Sequence, residues 1–273
     1  MIAAPGVFEL ISARIADATG FDCLYATGYG MVASHLGLPD AGLATYSDMA
    51  GRVAQIAQAT RTPLIADADT GYGGLLNVQH IVRGYEAAGA AAIQLEDQQF
   101  PKKCGHMLGR KVVPAGEMAA KVKVAVESRS DRNFLIVART DARTEHGLDE
   151  ALRRGERYLA AGADILFIES PESLEEMRKI GETFKGVPLL ANMVNGGRTP
   201  ILERRTLEEA GYKVAIFPAL CFLAAGAALD AAYAHLRRTG SSLGTPAPLY
   251  DFAKFSALTG FDEVAEFERR HRG

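Results

Sequence analysis

The chain has 273 residues, of which 48% are apolar and 23% charged, and its formal net charge is -3. This composition suits a globular protein with a large buried core, and the length is typical of one α/β barrel. No basic patch favours nucleic acid or anionic lipid, no apolar run is long enough to span a membrane, and no signal-peptide pattern begins the chain. We therefore expect a cytoplasmic protein without nucleic-acid or membrane partners, and its three cysteines indicate reduced thiols.

Short apolar runs, each preceded by a helical pattern, recur along the chain. Helical patterns end at Gly20, Gly89, Gly162 and Gly211, which suit the left-handed caps that close helices. Because buried parallel strands are short and almost wholly apolar, the runs predict eight strands. The strands cover residues 2–4, 23–27, 64–67, 92–96, 134–139, 165–169, 189–192 and 214–217, and helices are predicted to begin near Phe8, Ser47, Asn77, Ala115, Asp149, Ser173, Thr206 and Leu220.

Strict alternation of strands and helices predicts an α/β protein with a (β/α)8 TIM barrel over residues 1–240. A doubly wound open sheet is the alternative. Residues 241–248 then predict a linker, and residues 250–270 predict one amphipathic helix with Phe252 and Phe261 on its apolar face. Because the barrel is complete before this helix, we expect residues 241–273 to pack on a neighbouring subunit of a homo-oligomer.

Polar side chains end most of the predicted strands, where the chemistry of a barrel is located. They are Asp67 and Asp69 after the third strand, Glu96 and Asp97 after the fourth, Arg139 and Asp141 after the fifth, Glu169 after the sixth and Asn192 after the seventh. Carboxylates gathered at one barrel mouth repel one another unless a cation neutralises them, and oxygen ligands suit Mg²⁺. The pattern therefore predicts a metal site.

These polar residues also have structural interpretations. Asp67 and Asp69 precede the glycines of Thr-Gly-Tyr-Gly-Gly, which is ordinary turn chemistry. Glu96, Arg139 and Glu169 are also compatible with a structural ring of ion pairs. The glycine stretch lacks the lysine-serine ending of a P-loop and the spacing of a dinucleotide fingerprint, so we discard nucleotide binding.

The segment over residues 102–110 has no apolar periodicity and predicts a mobile loop. It places Cys104 among cations and near His106, and nearby cations favour the thiolate and lower the pKa of a cysteine. Loop closure would carry this thiol to the barrel mouth as an acid or nucleophile. The alternative is an incidental loop cysteine beside a histidine that only makes loop hydrogen bonds. Cys23 and Cys221 lie in apolar runs and are predicted to be core residues.

Several stretches carry a family resemblance, namely Asp67-Ala-Asp69-Thr-Gly, Glu96-Asp-Gln, Lys102-Lys-Cys-Gly-His106, Arg139-Thr-Asp and the loop after Asn192. With them, nearly the whole chain resembles the isocitrate lyase and phosphoenolpyruvate mutase superfamily. The Lys-Lys-Cys-Gly-His loop is specific to the carbon-carbon lyases of that superfamily, whereas its mutases have a loop without the cysteine. The resemblance also implies a homotetramer.

The resemblance implies a role for each site residue. Mg²⁺, with Mn²⁺ as a possible substitute, would be held directly or through water by Asp67, Asp69 and Glu96. The α-keto acid half of the substrate would be cradled by Thr27, Gly28 and Tyr29, and further substrate contacts would come from Gly105, His106, Glu169 and Asn192. The implied catalytic residues are Cys104 as the acid, Lys102 and Arg139 as assisting cations, and Tyr25 as our candidate for the base.

Two departures from the superfamily pattern bear on the substrate. Methylisocitrate lyases have Glu in the seventh-strand loop, where this chain reads Asn192-Met-Val-Asn195-Gly-Gly, and Arg early in the eighth helix, where this chain has Leu223. Because an unpaired carboxylate in a closed site is costly, the missing cation favours a substrate with two carboxylates. The stretch from Gly196 to Pro200 also resembles the branch of dimethylmalate lyases and oxaloacetate hydrolases.

The sequence thus predicts a Mg²⁺-dependent carbon-carbon lyase that acts on a small 2-hydroxy di- or tricarboxylate. The preferred substrate is a 2-alkylmalate of the 2,3-dimethylmalate kind, cleaved by retro-aldol chemistry into an α-keto acid such as pyruvate and a carboxylate. 2-Methylisocitrate cleavage and oxaloacetate hydrolysis or decarboxylation are the alternatives within the superfamily. A non-catalytic barrel that binds a dicarboxylate is the alternative from another class.

Overall fold

A computed structural model describes residues 1–272, which form an eight-stranded parallel sheet surrounded by helices. The strands are β1 Ile2–Val7, β2 Leu24–Ala26, β3 Leu64–Asp67, β4 Ala92–Glu96, β5 Leu135–Thr140, β6 Ile165–Ile168, β7 Leu190–Asn192 and β8 Val214–Phe217. Their order in the sheet is β6-β5-β4-β3-β2-β1-β8-β7, and a parallel bridge between Leu166 and Leu189 joins β6 to the start of β7. This nearly closed sheet confirms the predicted barrel and excludes the doubly wound alternative.

The strands are apolar because both of their faces are covered. Tyr25, Ile65, Val137 and Phe167 are among the side chains that fill the barrel interior, and the opposite faces pack against the helices. Parallel pairing between β4 and β5 sets Glu96 beside Arg139. The strand register alone therefore places an acid, Glu96, beside a cation, Arg139, at the barrel mouth, without help from any loop.

The helices around the barrel are α1 Leu10–Thr19, α2 Gly28–Leu36, α3 Tyr46–Ala59, α4 Leu75–Ala87, α5 Ala115–Ser128, α6 Ala142–His146, α7 Leu148–Ala160, α8 Leu174–Thr183, α9 Arg204–Glu209 and α10 Leu220–Thr239. Two of them, α2 and α6, were not predicted from the sequence. The α2 segment is apolar and rich in glycine, so it has no amphipathic period, and α6 is little more than one turn. Both follow strand ends directly and belong to the barrel mouth.

The C-terminal segment differs from the single helix that was predicted. It forms two helices, α11 Phe252–Leu258 and α12 Phe261–His271, because Gly260 between them adopts a left-handed conformation with φ of 98°. The Arg14 guanidinium donates to the Leu258 carbonyl at 3.1 Å, which attaches α11 to α1 of the same chain. The apolar side chains of α12 remain largely exposed.

No helix within residues 1–272 combines the length and the apolar character needed to cross a membrane.

A close backbone contact between α8 and the turn after α9 generates a stability prediction. A Cβ at Gly181 would lie 1.8 Å from the Ala210 carbonyl oxygen, whereas a Cβ at Gly51, inside α3, would meet nothing within 4 Å. We expect Gly181→Ala to lower the free energy of unfolding by about 3 kcal/mol through overpacking. The control Gly51→Ala is expected to raise it by roughly 0.8 kcal/mol through helix propensity. Urea denaturation measures both, and equal stability of the two variants would contradict the described packing.

Candidate active site

A cavity of about 870 Å³, counted with its open mouth, lies at the carboxyl ends of the strands. Its lining includes most of the residues that were predicted to form the site, namely Tyr25, Thr27, Tyr29, Asp67, Glu96, Lys102, Cys104, Gly105, His106, Arg139, Glu169 and Asn192. Two other predicted residues lie directly behind this lining. A Cβ at Gly28 would lie 2.6 Å from Asp67 Oδ2, and Asp69 contacts Lys102. The structure therefore brings the whole predicted set to one place.

Three buried carboxylates, those of Asp67, Asp69 and Glu96, form the floor on the β3 and β4 side. The Asp69 amide donates to Asp67 Oδ1 at 3.0 Å, and Asp69 itself has a left-handed backbone with φ of 48°. Such a conformation is costly for a residue with a side chain and is found most often at functional sites. Glu96 Oε1 is buried without a hydrogen-bond partner. The turn expected at Asp67 and Asp69 is thus present, but it leaves a buried carboxylate oxygen of Glu96 without a hydrogen-bond partner.

Burial disfavours the charged forms of these three acids. It raises the pKa of Asp67 above its ordinary value of 3.8, and the neighbouring Asp69 raises it further. Burial likewise raises the pKa of Asp69, and it raises the pKa of Glu96 well above the ordinary value. Protonated acids or a bound cation would relieve this repulsion.

Arg139 is the central cation of the site. It makes two hydrogen bonds of 2.9 Å to the Asp141 carboxylate, through Nε and Nη2. The same guanidinium lies 3.2 Å from Glu96 Oε2 and 3.3 Å from Glu169 Oε2, and it stacks over the Phe167 ring. The predicted structural ring of ion pairs is therefore real, and it faces the same cavity as the proposed chemistry.

The loop over residues 102–110 is closed over the cavity. Lys102 forms ion pairs with Asp40 and with Asp69, the latter at 2.6 Å. A Cβ at Gly105 would lie 2.3 Å from Arg139 Nη2 and 2.7 Å from Glu169 Oε2, so only glycine permits this approach. The Gly105 carbonyl also accepts from Ser170 Oγ at 3.1 Å. Ion pairing at Lys102 and close packing at Gly105 thus hold the loop down.

The Cys104 thiol has a different ionisation state from the one predicted. Burial raises its pKa, and the Asp40 and Glu169 carboxylates add to the rise, against the opposing effects of the His106 amide and Arg139. The sequence suggested instead that nearby lysines would lower it. Lys102 does not act on the thiol in that way because its charge is taken up by Asp40 and Asp69. Near neutral pH the group is a protonated thiol, which suits a proton donor better than a nucleophile.

His106 and Asn192 lie side by side under the closed loop, and each is bonded to a different partner. The Arg198 amide donates to His106 Nδ1 at 3.2 Å, so the ring proton must reside on Nε2. Burial lowers the pKa of His106, which keeps the ring neutral. Asn192 Nδ2 lies 3.2 Å from His106 Nε2 and donates to Glu169 Oε2 at 3.0 Å. His106 thus does more than make hydrogen bonds within its own loop.

Tyr25 and α2 complete the opposite wall. Burial raises the pKa of Tyr25 well above its ordinary value, and Asp67 adds to the shift. The Tyr25 hydroxyl donates to Gln94 Oε1 at 3.2 Å. These surroundings favour the neutral phenol, so they do not support the predicted role as a base. At Thr27, the N-cap of α2, no side-chain capping bond forms, which leaves first-turn amides available to a carboxylate.

The donor set fits Mg²⁺ bound in part through water. Within residues 1–272, no three His, Cys, Asp or Glu side chains converge as a complete ligand cluster. Mg²⁺ does not need one, because it usually keeps several waters and takes one or two carboxylates. At the barrel mouth, six acids face three cations, which leaves an excess of three negative formal charges; the acids are Asp40, Asp67, Asp69, Glu96, Asp141 and Glu169, and the cations are Lys102, Arg110 and Arg139. A dication would reduce this excess.

Sequence reasoning missed two parts of the site. Asp40 lies in the loop after α2, and its importance depends on that unpredicted helix bringing it to Lys102. Arg110 was taken only as the end of the loop, yet its buried side chain pairs with Asp141. A third difference concerns Cys221, predicted to be core, which is only half-buried at the start of α10. Cys23 is buried as predicted.

Comparison with known proteins identifies similar chains. The family model of phosphoenolpyruvate phosphomutase matches residues 1–237. The 2,3-dimethylmalate lyase of Eubacterium barkeri is 48% identical over 271 residues, which are 99% of this chain and 93% of that protein. A 2-methylisocitrate lyase of Aeropyrum pernix is 42% identical over 270 residues, which are 99% of this chain and 85% of that protein.

Solved structures of related enzymes superpose closely on this chain. Oxaloacetate acetylhydrolase with the inhibitor 3,3-difluorooxalacetate superposes with a TM-score of 0.94 at 34% identity, over 100% of this chain and 93% of that one. A 2,3-dimethylmalate lyase superposes with a TM-score of 0.93 at 36% identity, over 100% of this chain and 91% of that one. Phosphonopyruvate hydrolase in complex with oxalate and Mg²⁺ superposes with a TM-score of 0.89 at 30% identity, over 100% of this chain and 95% of that one.

The carboxylate floor generates a prediction about pH and metal. Because Asp67, Asp69 and Glu96 have raised pKa values, the metal-free folded chain binds protons more tightly than the unfolded chain, and these acids destabilise it increasingly as pH rises. Mg²⁺ competes with those protons, so its stabilising effect should grow between about pH 5 and 8. At 100 times its Kd it should add about 2.7 kcal/mol.

Thermal unfolding in Mg²⁺ and in EDTA measures this effect. Asp69→Asn should lose most of the Mg²⁺ increment, while Asp230→Asn, an exposed site on α10, should keep it. An increment independent of pH, or equal in both variants, would contradict a metal held by these acids.

Proposed function

The chain belongs to the phosphoenolpyruvate mutase and isocitrate lyase superfamily as a carbon-carbon bond lyase, and from this premise we propose that it cleaves a 2-alkylmalate of the 2,3-dimethylmalate kind. The products would be an α-keto acid such as pyruvate and a second carboxylate. The observation that carries the proposal is one cavity under the cysteine loop, with a thiol, an arginine and a carboxylate floor on one side and an apolar wall on the other.

The apolar wall supports the choice of substrate. Pro218, Ala219, Phe222 and Leu223 line it at the start of α10, and this part of the lining holds no cation. Tyr29 packs edge-on against Phe222 with ring centroids 5.1 Å apart. Such a surface accommodates an alkyl group, whereas a third carboxylate placed there would lose its hydration without gaining a partner.

The polar side supplies binding and proton transfer. The first turn of α2 would bind the carboxylate next to the cleaved bond, with Thr27 and Tyr29 at its edge. Asp67, Asp69 and Glu96 would hold Mg²⁺, which supplies Lewis-acid stabilisation of negative oxygen when bound. Mn²⁺ has the same preference for oxygen ligands and is a possible substitute. Tyr25 would act as a hydrogen-bond donor in its neutral form rather than as the base.

The bond cleavage needs a cation and an acid on the departing fragment. The 2-hydroxyl would pass its proton to a carboxylate of the floor, and its oxygen would become the carbonyl of the α-keto acid as the carbon-carbon bond breaks. The electron pair of that bond passes to the second fragment, which leaves as the enolate of a carboxylate. Arg139 would stabilise the charge on that carboxylate, with Glu169, His106 and Asn192 fixing its surroundings. The Cys104 thiol would then give its proton to the enolate carbon, while Lys102 and Gly105 keep the loop closed.

We also propose a cytoplasmic homotetramer built through the C-terminal helices. Large apolar side chains stay exposed along α10 and α12, among them Leu229, Tyr233, Phe261 and Phe267. A contiguous exposed apolar face of this kind is typical of an oligomer interface. Because α11 is attached to its own chain, α12 would supply the contact with a neighbour's barrel, and sedimentation analysis of the mass in solution tests this arrangement against a monomer.

The acid role of Cys104 gives the first functional prediction. Cys104→Ser should lower kcat for keto-acid release by about 10²- to 10⁴-fold, the usual contribution of general acid catalysis. Cys221→Ser serves as the control, because its thiol is outside the cavity lining. The assay follows keto acid from 2,3-dimethylmalate, 2-methylisocitrate, isocitrate and oxaloacetate, with Mg²⁺ or EDTA. Activity on oxaloacetate alone, indifferent to Cys104, would exclude the lyase and favour hydrolysis.

The apolar wall gives the second functional prediction. Leu223→Arg should lower kcat/KM for the 2-alkylmalate and raise it for 2-methylisocitrate on the order of 10-fold or more, the effect of one charge-assisted hydrogen bond. Leu220→Arg, exposed to a similar degree on the same helix but outside the cavity, should leave the ratio unchanged. A wild-type preference for 2-methylisocitrate would show that the wall does not set specificity.

A further inference from the structure

Arg110 is a buried cation at the end of the cysteine loop. Its side chain is fully buried and forms an ion pair with Asp141, whose side chain is also fully buried. The guanidinium also donates to Thr144 Oγ1 on α6 at 2.5 Å, and its Nε has no partner. Burying the two charges is costly and their pairing offsets that cost, so the Arg110–Asp141 pair ties this end of the loop to the barrel mouth in the closed position.

Asp141 joins this loop anchor to the reacting region. It accepts two hydrogen bonds of 2.9 Å from Arg139, and its own amide donates to Asp97 Oδ1 at 2.9 Å. One buried carboxylate is therefore shared by two guanidinium groups, one from β5 and one from the loop. Arg139 reaches Glu96 and Glu169 at the longer distances of 3.2 and 3.3 Å, so Asp141 is the group that orients it.

We propose that Arg110 is a positioning residue that couples loop closure to the charge of Arg139. With the loop closed, Arg110 neutralises part of the Asp141 charge, and Arg139 can offer its outer N–H groups to the carboxylate of the leaving fragment. With the loop open, Asp141 has lost one of its two guanidinium partners and holds Arg139 more tightly. Cleavage therefore requires the same loop movement that brings Cys104 to the cavity.

This coupling rests on the proposed function and gives it an order of events. Arg139 stabilises the enolate only while Cys104 is in place to protonate it, so a carbanion is not formed in an open site. At the other end of the loop, Lys102 pairs with Asp40 and Asp69. Both ends of the loop are therefore held by ion pairs with acids of the site. The exposed Lys103 and Lys111 form no ion pair of this kind with a described carboxylate.

The test compares Arg110→Met, Arg110→Lys and the control Lys111→Met. We expect Arg110→Met to lower kcat for the 2-alkylmalate by about 10²-fold, as for a misplaced catalytic group, with KM changed less than about threefold. Arg110→Lys should recover part of kcat because it retains the charge but not the planar fork. Lys111→Met should match the wild type. A loss carried entirely by KM would overturn the proposal.

A double-mutant cycle separates positioning from simple tethering of the loop. If Arg110 acts through Asp141, Arg110→Met should add little to the kcat loss of Asp141→Asn, whereas independent roles would give additive losses. Additive losses would overturn the proposal.

Iodoacetamide labelling of Cys104, read by mass spectrometry of its peptide, is independent of turnover and also detects variants that fail to fold. Mg²⁺ with oxalate should slow labelling in the wild type and in Lys111→Met but not in Arg110→Met. If no substrate of the panel is cleaved, the proposed function fails while this readout still decides the coupling. Equal protection in Arg110→Met would contradict it.

Discussion

The site depends on how a set of buried carboxylates is kept at the barrel mouth. Asp141, Glu96 and Glu169 surround a single guanidinium, that of Arg139, and two further acids, Asp67 and Asp69, lie beside them. Burial of unpaired charge is among the most costly features of a folded chain. The strand register provides the Arg139 pairing, the closed loop brings Lys102 and Arg110, and the proposed dication would offset the excess negative charge that remains.

The same charge balance explains why the Cys104 thiol keeps its proton. Lys102 and Arg110 do not act on Cys104, because each is already paired with acids of the floor or of β5. The thiol therefore lies in surroundings that favour its proton, between Asp40 and Glu169. A closed loop, a neutral His106 and a protonated Cys104 together suit the proposed donation of a proton to a carbanion better than attack on a carbonyl.

Much of the fold could be predicted because buried parallel strands appear in a sequence as short apolar runs. The ends of those runs mark the mouth of the barrel. The metal acids, Arg139 and the cysteine loop could be located for that reason. The missed features have physical causes: α2 lacks an amphipathic period, Gly260 interrupts an otherwise continuous helical pattern, and the pairings of Asp40 and Arg110 arise only in three dimensions. The lower pKa expected of Cys104 was wrong because sequence shows neighbouring charges but not their partners.

The most direct test is the fate of the transferred proton. The 2-alkylmalate is cleaved in D₂O with Mg²⁺, and the released carboxylate is analysed by NMR. We expect one deuterium on the carbon that formed the broken bond, on a single face in the wild type, with much slower release after Cys104→Ser. Deuterium on both faces in the wild type, or cleavage unchanged by the substitution, would contradict protonation by the closed cysteine loop.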